Sequence, residues 1–180
     1  MSPAARPAFQ LPAALVCAGH SLRRADDGDL PFQRMLFERA RPDLAVLAAW
    51  PEAVRAPFLD QQFHFQTAHY ARVYPQAERL ILLAGEDAIG RLILDCAAER
   101  WCLVDIALLP AWRGRGIGEA LLRAIQTQAV QAGAGAVELM VESINPARRL
   151  YERLGFAAVA DEPPHVAMTW SAPIAQLKIA

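Results

Sequence analysis

The chain has 180 residues, of which 54% are hydrophobic and 21% are charged, a balance typical of a globular protein and not of a disordered one. This length predicts one domain with a single buried core. The formal net charge of -1 argues against a nucleic-acid partner, because surfaces that bind nucleic acids are strongly basic.

The first residues are expected to lie outside the folded domain. Residues 1–20 contain a short apolar run that Pro12 interrupts, and Val16 stands where a signal peptide would need a small residue, so we interpret them as an N-terminal extension. Residues 21–170 are expected to form a single domain, and residues 171–180 a C-terminal tail. Because no apolar run reaches the length of a membrane span, we expect no membrane partner.

The first elements of the domain are a strand and two helices. Leu22–Ala25 has the pattern of a strand. The acidic run Asp26–Asp29 then supplies capping carboxylates for a helix that runs to Ala40. A second helix is expected to follow Pro51 and to run past Tyr70.

The remaining elements alternate between strands and helices. We predict strands at Arg79–Ala84, Ala88–Asp95 and Trp101–Leu109, a helix from Ile117 to Gly133, a strand at Ala136–Val141, a helix at Pro146–Leu154, and strands at Phe156–Ala160 and His165–Trp170. The third strand of this set is apolar almost throughout, which predicts burial on both faces. The order indicates an α/β fold with a mixed, mostly antiparallel central sheet flanked by helices, and with one crossover between parallel strands.

The segment WRGRGIGEALL, Trp112–Leu122, joins a strand to a helix through a glycine-rich turn. Unpaired backbone N–H groups and the positive end of a helix dipole meet at such a turn, which therefore favours anions. A dinucleotide fingerprint beginning at Gly114 would need glycine where the chain has Glu119, and the Gly-Lys-Ser/Thr of a nucleotide-binding P-loop is absent.

Two motifs together resemble the GNAT superfamily of acetyl-CoA-dependent N-acetyltransferases. One is Arg113-x-x-Gly116-x-Gly118, between an apolar strand and a helix, and the other is NPARRLYERLGF, Asn145–Phe156, a helix with a tyrosine that ends in Gly-Phe. The resemblance extends from about residue 22 to residue 170, and its specific part is Val104–Phe156.

The resemblance implies a binding site for acetyl-CoA between two splayed parallel strands. Backbone groups of Ile106, Ala107 and Leu108 would pair with the pantetheine arm as an added strand would. The pyrophosphate would lie on the backbone N–H groups of the residues in the glycine-rich turn, namely Arg113, Gly114, Arg115, Gly116, Ile117 and Gly118. Asn145 stands six residues before Tyr151, where the superfamily's asparagine commonly stands seven before, so it either contacts the cofactor or only caps the helix.

Tyr151 and Asp105 are the candidate catalytic residues. Tyr151 is expected to be the general acid that protonates the departing thiolate. A backbone N–H near a strand bulge, expected within Ile106–Leu108, would stabilise the oxyanion. Asp105 is the only charge in Cys102–Leu109, and it is either paired structurally or the general base. No cysteine accompanies the motifs, so we expect direct transfer without an acyl-enzyme.

The acceptor is expected to bind beside the N-terminal helices. FLDQQFHFQTAHY, Phe58–Tyr70, is rich in aromatic residues, glutamine and histidine, and Gln62, His69 and Tyr70 are candidate substrate contacts. The phenylalanines are expected to pack in the core. His64 and His69 do not have i,i+4 spacing, so this helix does not suggest a metal site.

The prediction is therefore an acetyl-CoA-dependent N-acetyltransferase that acts on a primary amine of a small molecule, amino acid or peptide. A non-catalytic acyl-CoA-binding or sensor module on the same fold is the main alternative, and a phosphate-loop nucleotide-binding protein is a second. The three cysteines, Cys17, Cys96 and Cys102, form no C-x-x-C pair, so we expect no zinc site and no disulfide framework. We expect a cytoplasmic monomer or homodimer.

Overall fold

The computed structural model describes residues 8–97 and 99–173. Its helices are α1 (Ala13–Cys17), α2 (Leu30–Ala40), α3 (Glu52–Val73), α4 (Ile117–Gln131) and α5 (Arg148–Arg153). Its strands are β1 (His20–Arg24), β2 (Glu78–Ala84), β3 (Asp87–Cys96), β4 (Arg100–Leu108), β5 (Ala136–Glu142), β6 (Ala157–Glu162) and β7 (His165–Ser171). Short 3-10 helices occupy Asp27–Asp29, Pro42–Ala49 and Pro110–Trp112.

The seven strands form one sheet in the order β1-β2-β3-β4-β5-β7-β6. Every neighbouring pair is antiparallel except β4 and β5, which are parallel and are joined through α4. This confirms the predicted fold class, including the single parallel pair that flanks the glycine-rich helix.

The larger core lies between the sheet and α4. Leu121 and Ile125 on α4 are almost fully buried, and they belong to the same cluster as Leu92, Leu94 and Leu103 of the sheet. Apolar side chains recur along α4 at intervals of three and four residues, which directs them to one face of the helix. A smaller cluster joins α2, α3 and the helical turn between them, and is centred on buried residues Phe37, Leu47 and Leu59.

Residues before β1 are part of the larger core. Phe9 and Leu15 are 6% and 7% exposed and belong to the cluster beneath α4. The Gln128 side chain of α4 bonds both the N–H and the carbonyl of Gln10, at 2.9 and 2.7 Å. The segment 8–20, which we interpreted as a loose extension, therefore packs against the domain and includes α1.

The acidic run before α2 caps the 3-10 turn Asp27–Asp29 that leads into the helix, whereas α2 itself has no side-chain cap. Asp26 accepts a hydrogen bond from the Gly28 N–H at 2.8 Å, and the Asp29 carboxylate accepts one from the Asp26 N–H at 2.9 Å. Arg23 on β1 also donates two hydrogen bonds of 2.6 Å to Asp29, and these hold the pKa of that carboxyl below its ordinary value. This start fixes where α2 begins relative to the sheet.

Candidate active site

The parallel strands β4 and β5 separate halfway along their length. Their pairing runs from Arg100 opposite Ala136 to Leu103 opposite Leu139, and it stops there. The remainder of β4 is consequently only half-buried, which corrects the prediction that the strand is covered on both faces. The gap between the two strands opens a cleft in the sheet.

A β-bulge marks the point where the strands separate. Leu103 pairs with Leu94 and Asp105 pairs with Ile93, so Val104 has no partner on β3. The bulge therefore lies two residues before the expected range Ile106–Leu108. An extra residue bends and twists a strand, which accounts for the divergence of β4 from β5.

Beyond the bulge, β4 presents a free backbone edge to the gap. The N–H of Leu109 donates to the Ile89 carbonyl at 2.9 Å, so it points toward β3. Because backbone groups alternate along a strand, those of Ala107 also point toward β3. The Ala107 carbonyl comes so close to Gly90 that a Cβ built at Gly90 would lie 2.6 Å from it. Ile106 and Leu108 are left to direct their backbone groups into the gap.

The glycine-rich turn adopts the conformation that an anion site requires. Gly114 and Gly116 have φ values of 71° and 79°, which residues with a Cβ rarely adopt. The first backbone bond of α4 runs from the Ala120 N–H to the Gly116 carbonyl at 2.9 Å. Within the described chain, the N–H groups of residues 114–118 have no backbone acceptor, as expected for the start of a helix.

Arg113 differs from the other residues of the turn. Its N–H donates to the Pro110 carbonyl at 3.2 Å, so it is not free for a ligand, contrary to the expectation for this backbone group. Its guanidinium donates to the carbonyls of Leu108 and Arg39 at 3.0 and 3.3 Å. Arg113 therefore ties the turn to the end of β4 and to the last turn of α2.

Arg115 lies over an aromatic ring. Its guanidinium carbon is 4.8 Å from the centroid of the Trp112 ring, within the range of a cation–π contact. This contact keeps a positive charge beside the N-terminus of α4. Both features favour a phosphate ligand at the turn.

The cleft has a volume of about 560 Å³ and receives side chains from both sides of the gap. This volume lies within the ordinary range for small-molecule sites. All three candidate substrate contacts, Gln62, His69 and Tyr70, line it together with both proposed catalytic residues, Tyr151 and Asp105. The fold therefore brings together candidate residues that are far apart in the chain.

Tyr151 lies on α5 and is 7% exposed. Its ring packs edge-on against Phe156, with the centroids 5.9 Å apart. Burial, and to a lesser degree the charge of Asp105, raise the pKa of its hydroxyl above the ordinary value of 10.0. The group is consequently protonated at neutral pH, as a proton donor must be.

The helix that carries Tyr151 is fixed at both ends. Before its start, the Asn145 Oδ1 accepts a hydrogen bond from the Ala147 N–H at 2.9 Å, so Asn145 caps the turn that leads into α5. At its end, the buried Gln126 side chain donates to the Leu154 carbonyl at 2.9 Å. Asn145 also lines the cleft, so a cofactor contact is compatible with its capping role.

Asp105 is paired with a buried arginine. Arg91 on β3 is 5% exposed, and both its Nε and its Nη2 lie 2.8 Å from the Asp105 Oδ2. The same guanidinium donates to the side-chain oxygens of Gln33 on α2 and Gln66 on α3, at 3.5 and 3.3 Å. The pairing that the sequence left open therefore exists, and Asp105 lines the cleft as well.

A cysteine also lines the cleft, which corrects the expectation that none accompanies the motifs. Burial raises the pKa of the Cys102 thiol, and the neighbouring Tyr74 is hydrogen-bonded to it. The pKa of Tyr74 rises to about 12, first through burial and then through this hydrogen bond. A neutral thiol is a poor nucleophile, so burial makes Cys102 poorly suited to carry an acyl group.

Several cleft residues were missed at the sequence level. Arg41, at the end of α2, and Glu142, at the end of β5, form an ion pair of 2.8 Å across 101 positions of sequence, and both line the cleft. His165 at the start of β7 lines it too. No local pattern signals such a pair, because its members come from elements that only the sheet brings together.

The aromatic helix α3 divides its phenylalanines between core and cleft. Phe58 packs against the smaller cluster, as expected, and contacts the Trp50 ring at a centroid distance of 5.5 Å. Phe65, in contrast, is 56% exposed and lines the cleft, so the prediction that it packs in the core is wrong.

Metal sites and membrane-spanning helices are both absent from residues 8–97 and 99–173. These residues contain no group of three or more histidine, cysteine, aspartate or glutamate side chains placed to hold a metal ion. Nor do they include a helix with the length and apolar character needed to cross a membrane.

Known proteins with similar sequences are acetyltransferases. Residues 76–158 match the family model described as acetyltransferase (GNAT) domain. The chain is 34% identical over 87 residues to the [ribosomal protein bS18]-alanine N-acetyltransferase of Haemophilus influenzae, which covers 47% of this chain and 60% of that protein. It is 42% identical over 60 residues to streptothricin acetyltransferase of Streptomyces lavendulae, and this match covers 33% of this chain and 32% of that protein. The chain thus spans less than two thirds of the length of either relative.

A solved structure shows the same fold. The PaiA N-acetyltransferase of Thermoplasma acidophilum, in complex with coenzyme A, superposes with a TM-score of 0.65 at 16% identity, over 85% of this chain and 99% of that one. Segment 76–158 is therefore similar to the GNAT acetyltransferase domain, and the fold of the chain is that of a solved N-acetyltransferase.

Proposed function

We propose that the protein is an acetyl-CoA-dependent N-acetyltransferase that transfers an acetyl group directly to a primary amine. The observation that carries this proposal is the opening of β4 and β5 after Leu103 and Leu139, together with a turn with free backbone N–H groups that follows the end of β4. An extended thioester cofactor fits such a site, because one end needs a strand edge and the other an anion site.

The backbone groups without a partner indicate which residues would hold the cofactor. The N–H groups of residues 114–118 would bind the pyrophosphate, and the edge of β4 at the backbone of Ile106 and the N–H of Leu108 would pair with the pantetheine arm. The Leu108 carbonyl already accepts a hydrogen bond from the Arg113 side chain. Acetyl-CoA supplies the activated acetyl thioester. Ala107 and Arg113 act indirectly in this scheme, since their backbone groups already bond within the protein.

Three groups of the chain would perform the chemistry. Tyr151, protonated because burial raises its pKa, donates its proton toward the departing sulfur. The backbone beside the Val104 bulge offers the N–H that stabilises negative charge on the thioester oxygen. Asp105, fixed by Arg91, receives the amine proton directly or through water.

The test is thiol release from acetyl-CoA with a panel of α-amino peptides, free amino acids, lysine side-chain amines and antibiotic amines. We expect turnover with one class, and a fall in kcat of about 100-fold in Tyr151→Phe, the typical contribution of a general acid. Tyr74→Phe is the matched control, since it removes another cleft hydroxyl, and it should change kcat less than about threefold. Tight acetyl-CoA binding without turnover on any acceptor would instead support a binding or sensor module.

A further inference from the structure

Three exposed apolar side chains converge at the mouth of the cleft. Phe65 on α3, Met140 on β5 and Ile144 in the following loop are 56%, 62% and 80% exposed, and all three line the cleft. Single exposed apolar residues are common on protein surfaces and need no explanation. Three from different elements around one opening indicate an apolar ligand group.

The charged side chains of the cleft are already paired within the protein. The Asp105 carboxylate is 2.8 Å from Arg91, and the Glu142 carboxylate is 2.8 Å from Arg41. Arg91 is buried behind the cleft and the other three groups line it, so the two ion pairs together carry no net charge. An acceptor with several positive charges, such as a polyamine, would have to compete with a guanidinium for either carboxylate.

The unpaired edge of β5 is a third feature of the cleft that bears on the acceptor. Pairing of β5 with β4 ends at Leu139, so the backbone of residues 140–142 faces the gap without a strand partner there. An extended peptide pairs with such an edge through its amide groups, which a simple alkylamine does not have. Met140 places one of the exposed apolar side chains on this same edge.

We propose that the acceptor is a peptide N-terminus whose residue next to the amine-bearing one has an uncharged, apolar side chain, and that Phe65, Met140 and Ile144 select this side chain. The inference rests on the proposed transferase function and specifies its substrate class. Peptides with a charged side chain at that position, and polyamines, are the disfavoured acceptors.

The test uses peptide amides of sequence Ala-Xaa-Gly-Ala, with leucine, lysine or glutamate at Xaa, and a linear triamine. We expect kcat/KM for the leucine peptide to exceed that of every other acceptor by about tenfold, the effect of burying one apolar side chain. Phe65→Ser and Ile144→Ser should lower this preference several-fold through KM, leaving kcat nearly unchanged. Val159→Ser is the matched control, because Val159 is 64% exposed on β6 and does not line the cleft.

A higher kcat/KM for the lysine peptide or for the triamine would overturn the proposal, as would an unchanged preference in both serine variants. Calorimetric titration of the same peptides into protein saturated with coenzyme A separates this inference from the proposed function. If no acceptor is turned over, the transferase proposal fails. Tighter binding of the leucine peptide, weakened by Ile144→Ser, would still support the apolar site, and equal binding of all peptides would overturn it.

Discussion

Two effects raise the pKa of the Tyr151 hydroxyl. Burial removes the solvation that a phenolate needs, and the Asp105 carboxylate repels a second negative charge, so both raise its pKa above 10.0. A raised pKa keeps the neutral, proton-donating form populated below that value, and the form is lost only at higher pH. The residue is therefore suited to donate a proton and unsuited to accept one.

This sign gives a pH prediction. Between about pH 6 and 10, the kcat of the wild-type protein should show no alkaline decline caused by Tyr151. The measurement is kcat against pH for the wild type and Tyr151→Phe, with saturating substrates. An alkaline limb below pH 10 in the wild type that disappears in the phenylalanine variant would contradict the raised pKa.

The ion pair of Arg91 and Asp105 could serve the stability of the fold, the proposed proton transfer, or both. Arg91 is 5% exposed, so removing either partner leaves a buried or half-buried charge without its counter-ion. We expect Arg91→Met to lower the free energy of unfolding by about 3 kcal/mol. The double variant Arg91→Met with Asp105→Asn should recover most of this loss, because no charge is then left unpaired.

Activity of the double variant separates the two roles. If Asp105 takes part in proton transfer, stability returns in denaturant unfolding while kcat/KM stays low. If the pair is only structural, activity returns together with stability. The second result would remove Asp105 from the proposed mechanism.

At the scale of single elements, α4 provides a matched pair of glycines. Gly116 before its N-terminus and Gly133 after its C-terminus have φ values of 79° and 81°, and a Cβ at either would meet no atom within 4 Å. Replacing either by glutamate therefore imposes the same backbone strain and the same charge. Only Gly116 lies at the end where an anion is expected to bind.

We expect Gly116→Glu to weaken acetyl-CoA binding by at least about tenfold and Gly133→Glu to leave the affinity within about twofold of wild type. Isothermal titration calorimetry measures both, and thermal unfolding verifies that both variants are folded at the temperature of the titration. Equal affinities in the two variants would show that the turn does not hold the pyrophosphate.

Most elements could be predicted from the sequence because their signals are local. The apolar stripe of α4, the acidic run before α2 and the apolar runs of β2 and β3 depend on neighbours within a few residues. The position of the bulge could not be predicted, since Val104 is singled out only by the register of β4 against β3. The sequence also overestimates the burial of β4. Only the folded sheet shows that the second half of this strand has no partner on the side of β5.

At the scale of the whole molecule, the site also combines features with local sequence signals and features that only the fold creates. The glycine turn and the tyrosine helix each lie within one short segment, and both were found. Arg41 with Glu142, and Arg91 with Asp105, join different elements across the sheet, so only the assembled fold reveals them. The apolar mouth of the cleft was missed because Phe65 has the helical spacing of a core residue.

The segment before β1 tests how far the domain extends. Phe9 is 6% exposed in the core beneath α4, and its N–H donates to the Glu78 carboxylate at 3.0 Å. Phe9→Ala should lower the free energy of unfolding by about 3 kcal/mol, the low end for removing a buried phenylalanine. Phe65→Ala, which removes a phenylalanine that is 56% exposed, is the control and should cost less than about 0.5 kcal/mol. A Phe9→Ala variant as stable as the control in urea unfolding would show that these residues are a dispensable extension after all, and that the domain begins at β1.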